Sequence, residues 1–190
     1  ENIFDIISAL RREGIGQPVV VMSYFNPILK FGTERFLKRL AEAGGNGILV
    51  VDVPLEESAE IDSVASTLDL DVIRLIAPNT SDERVDKILA RSSGFAYLVS
   101  VAGVTGARDS VAGSSEALLG RIASKNRVPV VLGFGISRPE HVRRAISAGA
   151  AAAIEGSALV STYAGVLDDR EAALDLAERH ARDRKAATMM

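Results

Sequence analysis

At 190 residues, 47% hydrophobic and 25% charged, the chain is long enough for one domain with a real apolar core and has an ordinary globular balance. A net charge of −3 without any basic run gives nucleic-acid binding no electrostatic support, and the absence of cysteine excludes a thiolate nucleophile and a structural zinc site. No apolar stretch approaches the roughly 18–20 residues that a membrane helix needs, and no cluster of His, Asp and Glu has metal-ligand spacing.

The chain opens at Glu1 directly on a helical pattern, Ile3–Arg12, with no basic–apolar–small leader, which reads as a cut or processed end. The lack of cysteine fits a reducing, cytoplasmic setting. Short β-branched apolar runs then recur about one βα unit apart: Val19–Ser23, Gly47–Val51, Val72–Ala77, Gly94–Ser100, Val128–Leu132 and Ala150–Ile154. Near-continuous apolar strands of this kind predict a parallel sheet buried on both faces.

Amphipathic segments fill the intervals. Thr33–Ala43 places Phe36, Leu37 and Leu40 on one face and stops at Gly44-Gly45, a glycine-rich junction expected to weaken the turn. Glu57–Leu68 follows. Ser81–Arg91 comes after Thr80-x-x-Glu83, a capping-box spacing, and Ser114–Ser124 after a long connection. Arg138–Ala148 follows Ser137-x-x-Glu140 with Pro139 in its first turn, and Arg170–Arg184 closes the chain. The order is α(βα)₆, read as a single partial-barrel domain over residues 1–190. A closed βα barrel has eight strands. An open doubly wound sheet is the generic rival, although no Gly-x-Gly-x-x-Gly follows the first strand.

In parallel βα folds the chemistry lies beyond the C-terminal ends of the strands. The last two ends carry the sharpest signal, Gly133-Phe134-Gly135-Ile136-Ser137 and Glu155-Gly156-Ser157-Ala158. Glycines let backbone approach an anion closely, and amides at a following helix start point at it, so the pair predicts a shared phosphate site. Val101–Gly113 is long for a βα loop and reads as a lid or as a tolerant surface loop. Asp52, at a strand end, is either a catalytic carboxylate or, the favoured reading, a polar structural group. Tyr24 and Tyr97 present hydroxyls to a pocket or pack in the core. His141 and His180 are expected on helix surfaces.

Taken together and in order, these motifs resemble the tryptophan synthase alpha subunit family over essentially the whole chain. The matching strings are Asp52-Val53-Pro54-Leu55-Glu56-Glu57-Ser58, Tyr97-Leu98-Val99-Ser100, Gly103-Val104-Thr105-Gly106-Ala107-Arg108, Gly133-Phe134-Gly135-Ile136-Ser137, Gly156-Ser157-Ala158 and Lys185-Ala186-Ala187-Thr188. The resemblance implies an eight-stranded TIM-type (βα)8 barrel, of which the six βα units here would be strands three to eight. It implies a lyase that cleaves indole-3-glycerol phosphate into indole and glyceraldehyde 3-phosphate in tryptophan biosynthesis. No cofactor is implied for this chain, since pyridoxal phosphate belongs to the partner beta subunit. Carried over by position, Gly106, Gly135, Gly156 and Ser157 would contact phosphate. Tyr97, Thr105 and Phe134 would line the substrate, with Thr105 closing the lid. Tyr24, Asn26 and Pro54 would face the beta subunit.

The family's general-base Glu and its Asp partner have no counterpart in the given residues, which leaves Asp52 and Glu155 as the candidate catalytic carboxylates. Glu155 also stands where the family has a small or neutral residue, and a carboxylate beside a phosphate is repelled unless it points away or is protonated. The alternative reading is a catalytically inactive barrel fragment or phosphate-binding assembly module, with self-association through open sheet edges a further expectation. Another phosphate-handling barrel enzyme, an indole-glycerol-phosphate synthase or a phosphoribosyl isomerase, is the weaker rival.

Overall fold

The computed structural model describes residues 2–99, 117–122, 125, 128–133 and 135–189. Among the described residues there are six strands: β1 (Val20–Ser23), β2 (Gly47–Val50), β3 (Asp71–Ile76), β4 (Ala96–Val99), β5 (Val130–Gly133) and β6 (Ala152–Ile154). Helices among the described residues are α1 (Asn2–Arg12), α2 (Phe25–Phe31), α3 (Thr33–Glu42), α4 (Ala59–Thr67), α5 (Asp82–Ala90), α6 (residues 117–122), α7 (Pro139–Ser147), α8 (Ser157–Tyr163) and α9 (Arg170–Ala186). The chain divides into two compact units, residues 1–75 with 86–96, and residues 76–85 with 97–190.

In the first unit the strand order is β1-β2-β3, all parallel, with Val21 opposite Ile48 and Ile48 opposite Val72. Its core is packed by Phe4 and Ile7 from α1, Phe36, Leu37 and Leu40 from α3, Ile28 from α2 and Ile61 from α4. The spacings of Phe4 to Ile7 and of Phe36 or Leu37 to Leu40 put these side chains on single helix faces. Phe4, Phe31 and Phe36 form a ring cluster with centroids 5.2 to 5.8 Å apart in tilted and edge-on geometry, which favours the ring quadrupoles.

The glycine-rich junction after α3 is tightly built rather than weak. Gly44 has φ 89, and side chains at Gly45 and Gly47 would overlap Leu40 and Asp71. Arg11 pins this junction, donating to Gly44 O at 2.9 Å and to Asn46 Oδ1 at 2.7 Å.

In the second unit the order is β4-β5-β6, and β5 and β6 run parallel. Leu98, Leu118, Leu119, Ile122, Val131, Leu132, Val142 and Ala145 fill its core. Pro139 begins α7, where its missing N–H costs nothing. Asp169 caps α9 by accepting from Ala172 N at 3.0 Å.

Two helices were not expected from the sequence. α2 begins just before Asn26-Pro27, and Pro27 is accommodated in its first turn. α8 starts directly at Ser157 after Gly156. The two capping boxes also resolve differently. Ser81 Oγ, not Thr80, accepts from Arg84 N at 3.4 Å, while Thr80 Oγ1 accepts from Ala77 N at 3.1 Å. Before α7, Ser137 N donates to His141 Nδ1 at 3.3 Å, and Arg138 is the cap without a side-chain bond.

Candidate functional site

Strand register in the second unit brings the two glycine-rich turns to one level. Gly133 lies opposite Ile154, so Gly135 and Gly156 each leave the sheet two residues beyond a paired position. Gly135 has φ 73, a conformation that only glycine adopts without strain. Gly156 has φ −129, which other residues can reach, and an added Cβ there would meet nothing within 4 Å. What the missing side chain does at Gly156 is leave the start of α8 open, where Ser157 begins the first turn and its amides lack helical partners. Gly135, Gly156 and Ser157 are all exposed.

Tyr97 comes to the same place from β4. A Cβ on Gly133 would sit 2.0 Å from the Tyr97 hydroxyl and 2.2 Å from its ring. Gly133 is thus a glycine because a buried ring, 7% exposed, lies across it. The sequence leaves Tyr97 between pocket and core. The structure buries its ring and lays it over the end of β5.

Glu155 does not point freely toward these turns. Its carboxylate is held by Arg184 of α9, with Nε donating to Oε2 at 2.8 Å and Nη2 to Oε1 at 3.3 Å. The same Nη2 donates to Ser137 O at 3.0 Å, in the turn after β5. His180 flanks the other side, with Nε2 3.0 Å from Glu155 Oε2 and Nδ1 2.9 Å from Thr162 Oγ1. The Nε2 contact is at ion-pair distance without hydrogen-bond alignment. The side chains of Glu155 and His180 are each 10% exposed. His180 is therefore half-buried, where the sequence predicts a surface residue, because α9 packs against α8 and the imidazole meets Thr162 there. Six residues before the end of α9, it supplies a partner that no local pattern announces.

In the first unit, Asp52 accepts from Phe25 N at 2.7 Å. The carboxylate caps α2 from the end of the neighbouring strand, rather than the turn that follows it in sequence. This bond ties the loop carrying Pro54 to the helix start carrying Tyr24 and Asn26. All three of these residues are exposed, Tyr24 at 63%. Thr105, Gly106 and Phe134 lie outside the described residues.

A cleft of about 410 Å³ in the first unit is lined by Asp62, Ser66, Asp69, Leu70, Asp71, Val72, Arg91 and Ser93. It opens at Asp71, the N-terminal end of β3, whereas chemistry in parallel βα folds lies at the opposite ends of the strands. It is not the candidate site. Among the described residues no group of three or more His, Asp or Glu is placed to hold a metal ion, and no helix is long and apolar enough to cross a membrane.

The family model described as tryptophan synthase alpha chain matches residues 1–189. The alpha chain of Methanothermobacter thermautotrophicus is 43% identical over 187 residues, which are 98% of this chain and 69% of that protein. The alpha chain of Carboxydothermus hydrogenoformans is 43% identical over 170 residues, 90% of this chain and 63% of that one. Among solved structures, a tryptophan synthase a2b2 complex from Pyrococcus furiosus matches at TM-score 0.84 and 34% identity, covering 96% of this chain and 72% of its own. The alpha subunit of Legionella pneumophila matches at TM-score 0.84 and 26% identity, covering 98% and 68%. The six βα units have the α/β barrel-type fold of these structures.

Proposed function

We propose that this chain, which belongs to the tryptophan synthase alpha chain family, grips the phosphate of indole-3-glycerol phosphate for retro-aldol cleavage to indole and glyceraldehyde 3-phosphate. Members of the family are lyases of tryptophan biosynthesis. The observation that carries the reading is the register of β5 on β6, which sets the Gly135 and Gly156 turns side by side beyond the sheet. Amides at Gly135, Gly156 and Ser157 bind the phosphate, and Gly106 adds to it from the preceding loop. Tyr97 and Phe134 lie along the indole, and Thr105 closes over it.

In the cleavage, the bond between the indole ring carbon and the glycerol chain breaks. The ring carbon takes a proton, and the adjacent glycerol hydroxyl gives one up as it becomes the aldehyde. Both transfers need positioned acid–base groups. Neither carboxylate candidate is well placed for them: Asp52 is committed to Phe25 N and Glu155 to Arg184. We read the six strands as strands three to eight of the family barrel. On that reading the general-base Glu and its Asp partner have no counterpart among these 190 residues. Tyr24, Asn26 and Pro54 form the face for a beta subunit, which carries the pyridoxal phosphate, in a cytoplasmic complex. The likeness to the a2b2 complex supports that partner.

The test is indole release from indole-3-glycerol phosphate by the purified chain, with and without added beta subunit. Phosphate-dependent binding without turnover is the expected result for the chain alone. Turnover abolished by Asp52→Asn or Glu155→Gln would overturn the structural roles assigned to those carboxylates. Failure to bind the phosphorylated substrate would overturn the phosphate reading.

A further inference from the structure

Arg184 makes three hydrogen bonds that reach both phosphate turns. On one turn it holds Glu155, the residue before Gly156, through Nε at 2.8 Å and Nη2 at 3.3 Å. On the other it holds Ser137 O, two residues after Gly135, at 3.0 Å. Behind this contact, His180 links the same carboxylate to Thr162 of α8. One helix, α9, therefore fastens β6, the turn after β5 and the helix that follows Gly156.

The Arg184 and Glu155 side chains are 19% and 10% exposed. They are desolvated enough that the pair is not a screened surface contact. Only a planar guanidinium can send parallel N–H groups to a carboxylate while also reaching a carbonyl; an ammonium is a point donor on a flexible stem. The pairing also answers the repulsion that a bare Glu155 would exert on a dianion at the neighbouring turn.

We infer that Arg184 is a positioning residue for the phosphate site, bracing the Gly135 and Gly156 turns at their working separation while neutralising Glu155. The inference rests on the phosphate reading above. Its test is calorimetric titration of the full chain with inorganic phosphate, indole-3-glycerol phosphate and the dephosphorylated indole-glycerol. Arg184→Lys keeps the charge and loses the fork. The double variant Glu155→Gln/Arg184→Met removes both charges, so no orphaned carboxylate threatens folding.

Both variants are expected to weaken the two phosphate-bearing ligands about tenfold or more, the scale of one charge-assisted hydrogen bond. Indole-glycerol should bind within about twofold of the parent chain. A bystander arginine would leave phosphate affinity unchanged in both variants. A general packing role would weaken all three ligands alike. Either result overturns the inference. If the parent chain itself fails to distinguish phosphorylated from dephosphorylated ligand, the phosphate reading falls, and the brace falls with it.

Discussion

Asp62 and Glu155 are chemically alike, each a partly buried carboxylate paired with arginine, yet they do different work because of what adjoins them. In the first unit, Asp62 of α4 bonds Arg74 of β3 and, at 2.5 Å, Arg91 beyond α5. Arg91 also donates to Leu55 O at 2.7 Å and to Ser58 Oγ at 3.1 Å, and Arg74 Nε to Arg91 O at 2.9 Å. Burial is the largest influence on Arg74 and lowers its pKa; Asp62 opposes this, and Arg91 adds to it. Two permanent cations thus share one anion, and they tie α4 and the end of α5 to β3.

In the second unit, Glu155 shares Arg184 with a carbonyl and has a titratable imidazole as its other neighbour. It lies immediately before the turn that opens α8. The same pairing chemistry serves layer packing in one place and loop geometry in the other. The identity of the adjoining backbone decides which.

The comparison can be broken most forcefully at Asp62. Asp62→Asn leaves two guanidiniums partly buried without a counter-ion and is expected to cost about 3 kcal/mol, somewhat reduced by the exposure of Arg91. Urea denaturation would measure it, and ligand affinity in the folded fraction should be unchanged. Loss of phosphate binding without loss of stability would erase the distinction between the two clusters.

Gly133→Ala tests the other unit. Its new methyl group meets the buried Tyr97 ring, so the ring must move, at about 1–3 kcal/mol. Indole-glycerol binding should weaken along with stability, as a shift in tyrosine fluorescence on titration would reveal. The smallest effect belongs to a pair with neither context. Lys38 and Glu34 bond at 2.6 Å on the exposed face of α3, with side chains 54% and 64% exposed. Lys38→Ala should leave the melting temperature unchanged, because solvent and salt screen such pairs.

Much of this architecture is legible locally. The runs around Val21, Ile48, Ile73, Leu98, Val131 and Ala153 announce buried parallel strands, and Phe36, Leu37 and Leu40 announce the inner face of α3. Gly135 and Gly156 can be located as paired turns from their order alone. The short helices α2 and α8 escape notice because seven residues give too few turns for a periodic stripe, and each begins beside a Pro or Gly that suggests a loop. His180 escapes because α9 offers little apolar contrast between its faces, so nothing in its own stretch distinguishes a buried imidazole from an exposed one.

The sequence by itself determined the βα alternation and the position of the glycine turns, since both are written in short-range periodicity and in residues with unusual backbone freedom. Only the tertiary structure decided the duties of the charged residues. Asp52 became a cap for Phe25 N, 27 positions away, and Glu155 a ligand of Arg184, 29 positions away. The physical reason is that a carboxylate takes its role from its solvation and its nearest cation or N–H, and packing between distant segments sets both.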